Sequence, residues 1–194
     1  MATDVTDEGD VARLVAEAVR RYGQLDVAFN NAGTGGVAGP IETIDLAAFS
    51  QVLAVNVVGT FLSLKHQIPA LRDGGGGSII NNASTTGVVG SRSGMAAYTA
   101  AKHGVCGLTR AAALEHGASN IRVNALVTGP VATDQLESWF EAQPERAERI
   151  IGATALGRPA EESEIAALVV FLATKGAGYI TGAALAIDGG LTAG

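Results

Sequence analysis

Cysteine is almost absent: the chain of 194 residues has one, Cys106. That excludes an internal disulfide and is compatible with a reducing compartment. Basic residues are few and dispersed. Lys and Arg number 13 against 19 Asp and Glu, for a net charge of −6. Without a Lys/Arg cluster there is no electrostatic footprint for nucleic acid or an anionic membrane surface. Long hydrophobic runs are missing too. The longest, "AALVVFLA" at 166–173, falls short of the roughly 18 residues a bilayer span needs, so no membrane partner is expected. The opening "MATDVTDEGD" is acidic and polar, unlike a signal peptide, and a cytoplasmic location is expected. His66, His103 and His116 show no metal-ligand spacing with Cys or acidic residues, so no metal is expected. The triplet Asn82-Ala83-Ser84 matches a glycosylation acceptor, which in such a chain reads as chance. Repeats, linkers and low-complexity tracts are absent.

What the chain does have is apolar mass. Hydrophobic residues make up 47% and charged residues 16%, a globular composition. The length fits a single domain over 1–194. Glycine is abundant, with 26 residues, about twice the usual share. The pattern predicts a helix over 7–22 with Asp7 as N-cap and Gly23 as its stop, and a buried strand over 25–31. A long helix follows over 46–72, with a small-residue waist at Gly59, then a strand over 78–83. Another helix spans 95–117, followed by a strand over 121–127. Residues 134–151 read as charged and helical, with "EAQPERAER" as a solvated face. A helix over 161–173 and a short strand within 183–190 complete the chain. Strands that are apolar throughout and alternate with helices point to an α/β fold, a parallel sheet between helix layers.

The stretch "LDVAFNNAGTGGVAGP", residues 25–40, carries the spacing G-x-G-x-x-A at Gly33, Gly35 and Ala38. A dinucleotide phosphate loop opens directly into a helix and is followed about 20 positions on by an acidic residue. Here Gly39-Pro40 follows, and "LAVNVVGTFLS" at 53–63 has neither Asp nor Glu. The glycines therefore read as a turn in which the backbone passes close to something else.

Tyr98 and Lys102 stand four apart on a predicted helix and share a face. A nearby cation favours the phenolate and would bring the phenol into range for general acid/base work. Ser84 falls at the carboxyl end of the strand "SIINNA", where ligand sites of open α/β sheets lie. Asn56 is the odd polar residue in the apolar run "VLAVNVVGTF", and a buried amide needs partners: neighbouring backbone, or a water near Lys102. Cys106 reads as core. Leu136, Trp139 and Phe140, within a lid region at about 132–155, suggest an apolar pocket, although Trp139 could equally belong to a packed amphipathic helix.

Taken together, "NNAG" at 30–33, Asn56 in "VNVVGTF", Ser84, Tyr98-x-x-x-Lys102, "IRVNALVTGPVAT" at 121–133 and "DGG" at 188–190 resemble the short-chain dehydrogenase/reductase family, in order and spacing and over essentially the whole chain. The resemblance implies a Rossmann-like fold and hydride transfer between NAD or NADP and a small-molecule alcohol or ketone. It implies that Tyr98 exchanges a proton with the substrate oxygen and that Ser84 orients that oxygen. Lys102 would lower the Tyr98 pKa and bind the nicotinamide ribose, and Asn56 would hold a water relaying protons toward Lys102. Asn30, Ala32 and Gly33 would line the adenosine side, Asp4 and Val5 of "DVTD" would border adenine, and Val131 and Thr133 would hold the nicotinamide amide. A homo-oligomer, dimer or tetramer, is implied through the helices over 46–72 and 95–117.

Two departures accompany the resemblance. Thr128 stands where the family usually carries proline. The family's phosphate loop precedes its "DVTD" segment, and here only Met1, Ala2 and Thr3 do. The expectation is therefore a sheet lacking the first two β-α units and most of the third strand, about 60 residues. A mis-assigned start or a fragment is the expected reason. The strand over 25–31 would then form an exposed apolar edge, and the alternative to an active enzyme is a non-catalytic remnant or oligomerising subunit.

Overall fold

The computed structural model describes residues 1–194, the side chain of Gln135 excepted. Its sheet has four parallel strands in sequential order: β1 (Val27–Asn30), β2 (Gly77–Asn82), β3 (Ile121–Thr128) and β4 (Ala184–Ile187). Helix α1 (Glu8–Tyr22) precedes β1, and α2 (Leu46–Leu53) and α3 (Gly59–Asp73) lie between β1 and β2. Helix α4 (Ala96–His116) joins β2 to β3. Three helices, α5 (Asp134–Ala142), α6 (Pro144–Gly152) and α7 (Glu162–Ala173), separate β3 from β4.

The two central strands, β2 and β3, are buried at successive positions because both of their faces are covered. Ile79 points into a core made with Leu64, Ile68 and Leu71 of α3 and Ala112 and Ala113 of α4. Its neighbour Ile80 points the other way, into Leu126 and Leu172 of α7. All of these side chains except Leu64, Ile68 and the two alanines are essentially inaccessible to water. Helix α1 packs on α3 through Val11 and Val15. Asp7 caps it, accepting from Asp10 N, and Gly23 ends it at φ +87°.

Three features differ from the sequence reading. Residues 54–58 form a single π turn between α2 and α3, giving one continuous helical run, Leu46–Asp73, of 28 residues. By length and composition that run could cross a membrane, which counting uninterrupted apolar residues did not register. In this fold the run packs against α1, α4 and β1, with part of its surface left open. The segment over 134–151 is two helices, because Pro144 starts α6 at a position where no N–H is required. Strand β3 runs through Thr128, which pairs with Ile187, and Gly129 N donates to Ile187 O, so the position without proline is anchored by the ladder.

Strand β1 is a sheet edge, as the resemblance implied, with Val27 38% and Phe29 40% exposed. The waist at Gly59 accommodates Val5, whose Cγ2 lies 2.9 Å from where a Cβ would stand.

Candidate active site

The fold gathers Ser84, Tyr98, Lys102, Asn56 and Gly33 at the carboxyl ends of β1 and β2. Ser84 follows β2 by two residues and caps a short turn over 85–87, its Oγ accepting from Thr86 N at 3.3 Å. Tyr98 and Lys102 occupy the first two turns of α4. Lys102 is 4% exposed, and its Nζ donates to Asn82 O at 2.7 Å. Nζ also lies over the Tyr98 ring, 5.4 Å from its centroid.

Burial governs the electrostatics here. It holds the Lys102 ammonium down to about 8, with Cys106 pulling slightly back. It pushes the Tyr98 phenol up, and a hydrogen bond with Ser84 pulls the other way. This corrects the sequence expectation for the protein alone. Desolvation decides the direction for the phenol, and the Lys102 ammonium is tied to the Asn82 carbonyl and lies over the Tyr98 ring face. Burial therefore favours the protonated phenol.

Asn56 lies in the π turn, a common device for aiming a side chain at a functional site. Its Nδ2 donates to Thr34 O at 2.8 Å and Val52 O at 2.9 Å. Its Oδ1 is buried with no partner. A Cβ on Gly33 would stand 2.8 Å from that oxygen and 3.5 Å from Lys102 Nζ, so Gly33 borders a gap between them. Gly36, at φ +69°, lets the same loop press against Val52. The glycines serve close approach, and the segment runs into Pro40 and a short 3-10 turn over Ile41–Thr43, not into a helix.

The remaining expected residues divide. Ala32 and Gly33 are exposed beside the site. Val131 is held by a bridge to Ala160, and Thr133 caps α5, its Oγ1 accepting from Leu136 N at 3.2 Å. The Asn30 amide is not turned outward. It donates to Asn81 Oδ1 at 2.8 Å and Gln67 Oε1 at 3.1 Å and accepts from Gln67 Nε2 at 2.7 Å, so the side chain is engaged within the protein. Asp4 is engaged by Thr6, whose N and Oγ1 donate to it and whose hydrogen bonds lower its pKa. Val5 is spent on packing against Gly59.

Sequence reasoning missed the supports. Asn81 Nδ2 donates to Thr109 Oγ1 at 2.9 Å, extending the Asn30–Gln67 network across β1, β2, α3 and α4. Asn82 Nδ2 donates to Asn31 Oδ1 at 2.6 Å. The asparagine doublet in an otherwise apolar strand was the available signal. Two cavities lie away from this cluster: one of about 120 Å³ near Pro130, Ile187 and Asp188, and a groove of about 600 Å³ between α1 and α3.

A family model described as enoyl-(acyl carrier protein) reductase matches residues 1–192. Levodione reductase of Leifsonia aquatica is 40% identical over 197 residues, covering 98% of this chain and 73% of that protein. A 2,5-dichloro-2,5-cyclohexadiene-1,4-diol dehydrogenase of Sphingobium indicum is 42% identical over 191 residues, covering 98% of this chain and 76% of that one. A crystal structure of levodione reductase superposes with a TM-score of 0.94 at 38% identity, over 100% of this chain and 76% of the other. ElxO with NADP bound gives a TM-score of 0.92 at 30% identity, over 98% and 77%. The chain belongs to the short-chain dehydrogenase/reductase family of oxidoreductases. It spans about three quarters of the length of these relatives.

Proposed function

We propose that this protein interconverts a cyclic secondary alcohol and its ketone by hydride transfer with NAD or NADP. The observation that carries the proposal is the convergence of Ser84, protonated Tyr98 and buried Lys102 at the carboxyl ends of the strands. The cyclohexane and cyclohexadiene substrates in several relatives' names and the half-buried Leu136, Trp139 and Phe140 support the substrate class.

The residues fit the nicotinamide-ribose end of the cofactor. Lys102 Nζ has three donors and one protein acceptor, leaving two for ribose hydroxyls. Val131 and Thr133 would hold the carboxamide, Ala32 and Gly33 would flank the adenosine side, and Asp4 would border adenine. The pyrophosphate end has no such cradle among the described residues, where the glycine stretch meets Pro40. When bound, the cofactor supplies or accepts the hydride.

The chain's own part is the proton. Ser84 Oγ donates a hydrogen bond to the substrate carbonyl oxygen, and Tyr98 gives up its phenolic proton as negative charge grows there. Lys102, one turn away, stabilises the resulting phenolate, and a water held by the unpartnered Asn56 Oδ1 would restore the proton. Homo-oligomerisation through α3 and α4 is part of the proposal, supported by Val58, Phe61 and Leu114, 44%, 48% and 88% exposed.

The second reading, a subunit without turnover, draws on the missing phosphate cradle and the exposed β1 edge. Calorimetric titration with NADH and NADPH, followed by turnover with a panel of cyclic ketones, separates the two. Micromolar affinity and turnover support the enzyme; absent or millimolar affinity for both nucleotides supports the subunit.

A further inference from the structure

Helices α5 and α6 leave the sheet at the end of β3 and return across the loop that joins Ser84 to Tyr98. At one end they are anchored by Val131, bridged to Ala160, and by the Thr133 cap. At the other end, among the described residues, the hydrogen bond to the loop after β2 comes from Arg146. Arg146 Nη2 donates to Ser93 O at 2.6 Å, and its Nη1 donates to Gln143 Oε1 at 3.0 Å. The guanidinium carbon lies 5.7 Å from the Trp139 ring centroid, and Trp139 packs on Phe140 with centroids 5.6 Å apart. Ser93 is itself fixed: Gly39 N donates to the neighbouring Gly94 O at 2.9 Å, tying the loops after β1 and β2 together. Arg146 thus joins the segment after β3 to both of them.

Little else holds these helices. No residue of α6 is buried, and Leu136, Trp139 and Phe140 are only half-buried. A planar, always-charged guanidinium that bonds a carbonyl, an amide oxygen and an aromatic face at once is what a lysine cannot reproduce.

We propose that Arg146 is a positioning residue that latches the α5–α6 hairpin over the cleft beside Ser84 and Tyr98, and so sets how firmly a substrate is enclosed. The effect on substrate rests on the function proposed above; the latch itself does not. Trp139 is the only tryptophan, so its fluorescence reports the hairpin directly.

The test compares acrylamide quenching of Trp139 in the wild-type chain and in Arg146→Ala, Arg146→Lys and Arg149→Ala. Arg149 removes the same charge from the same helix but bonds only Glu145 O, at 3.3 Å. Arg146→Ala is expected to raise the quenching constant about twofold or more, Arg146→Lys by less, and Arg149→Ala to match wild type. Equal quenching in Arg146→Ala and wild type, or an equal rise in both alanine variants, overturns the latch. In turnover, Arg146→Ala is expected to raise KM for the ketone about tenfold with kcat within about threefold and the nucleotide KM unchanged. A quenching change without the ketone KM change overturns the enclosure of substrate. Absence of turnover in the wild type contradicts the proposed function and leaves the quenching result to decide the latch.

Discussion

Replacing Gly33 with alanine probes a close approach between the glycine loop and the site. The added Cβ would stand 2.8 Å from Asn56 Oδ1, well inside van der Waals contact, and 3.5 Å from Lys102 Nζ. The Gly33 backbone is not in the left-handed region, so the methyl contact is the whole perturbation. Asn56 cannot yield cheaply. It is 1% exposed, and its amide nitrogen is held by Thr34 O and Val52 O. Gly33 itself is exposed, but the methyl would press on this buried amide, and overpacking of that kind costs about 1–3 kcal/mol. In a chain of this size each kcal/mol lowers Tm by about 2–4 °C. Scanning calorimetry should therefore place Gly33→Ala about 2–12 °C below wild type. The methyl also fills the gap between Asn56 Oδ1 and Lys102 Nζ, so kcat should fall by up to about a hundredfold. Nucleotide affinity should change much less. A Gly33→Ala chain with wild-type Tm and wild-type kcat would refute the geometry assigned to this corner.

Two further outcomes follow from burial and backbone. Lys102 has an ordinary pKa of 10.5 and is held at about 8 in the fold. Between those values the unfolded chain keeps the proton and the folded chain releases it, so this group makes stability rise with pH across the window, by on the order of 3 kcal/mol. Below about 8 the cost of burying the ammonium is present in full. Denaturant titrations from pH 7.5 to 10 on wild type and Lys102→Met should differ by that slope; parallel curves would contradict it. The comparison is needed because burial raises the pKa of Cys106 and Tyr98, which act in the opposite direction above about pH 9 and 10. On the outer surface of α4, a Cβ on Gly107 would meet nothing within 4 Å. Gly107→Ala should raise stability by about 0.5–1 kcal/mol through helix propensity, measured as a higher urea midpoint.

The sequence made visible whatever is local or is demanded by the chemistry. Asp7 and Gly23 marked the ends of α1 because capping depends on neighbouring residues. Tyr98 and Lys102 stood out because a four-residue spacing on a helix puts them on one face, and Ser84 because it stands at the end of a strand. What depends on distant partners was not visible. Asn56 looked anomalous, but its π turn depends on the carbonyl of Thr34, 22 residues away. The Asn30–Gln67–Asn81–Thr109 network joins four elements, and no window contains more than one of them. The direction of the Tyr98 pKa is set by burial, which depends on elements distant in sequence. Arg146 was absorbed into a charged run read as solvated, because its acceptor lies 53 residues earlier.

The central claim, that Tyr98 supplies the proton while Ser84 and Lys102 hold the reacting groups, is tested most directly by Tyr98→Phe. The chain would be loaded with reduced nucleotide, mixed rapidly with a cyclic ketone, and followed by the loss of nicotinamide absorbance in a single turnover. Tyr98→Phe should bind the nucleotide as wild type does and oxidise it about 10²–10⁴-fold more slowly. Oxidation at the wild-type rate by Tyr98→Phe would contradict the account.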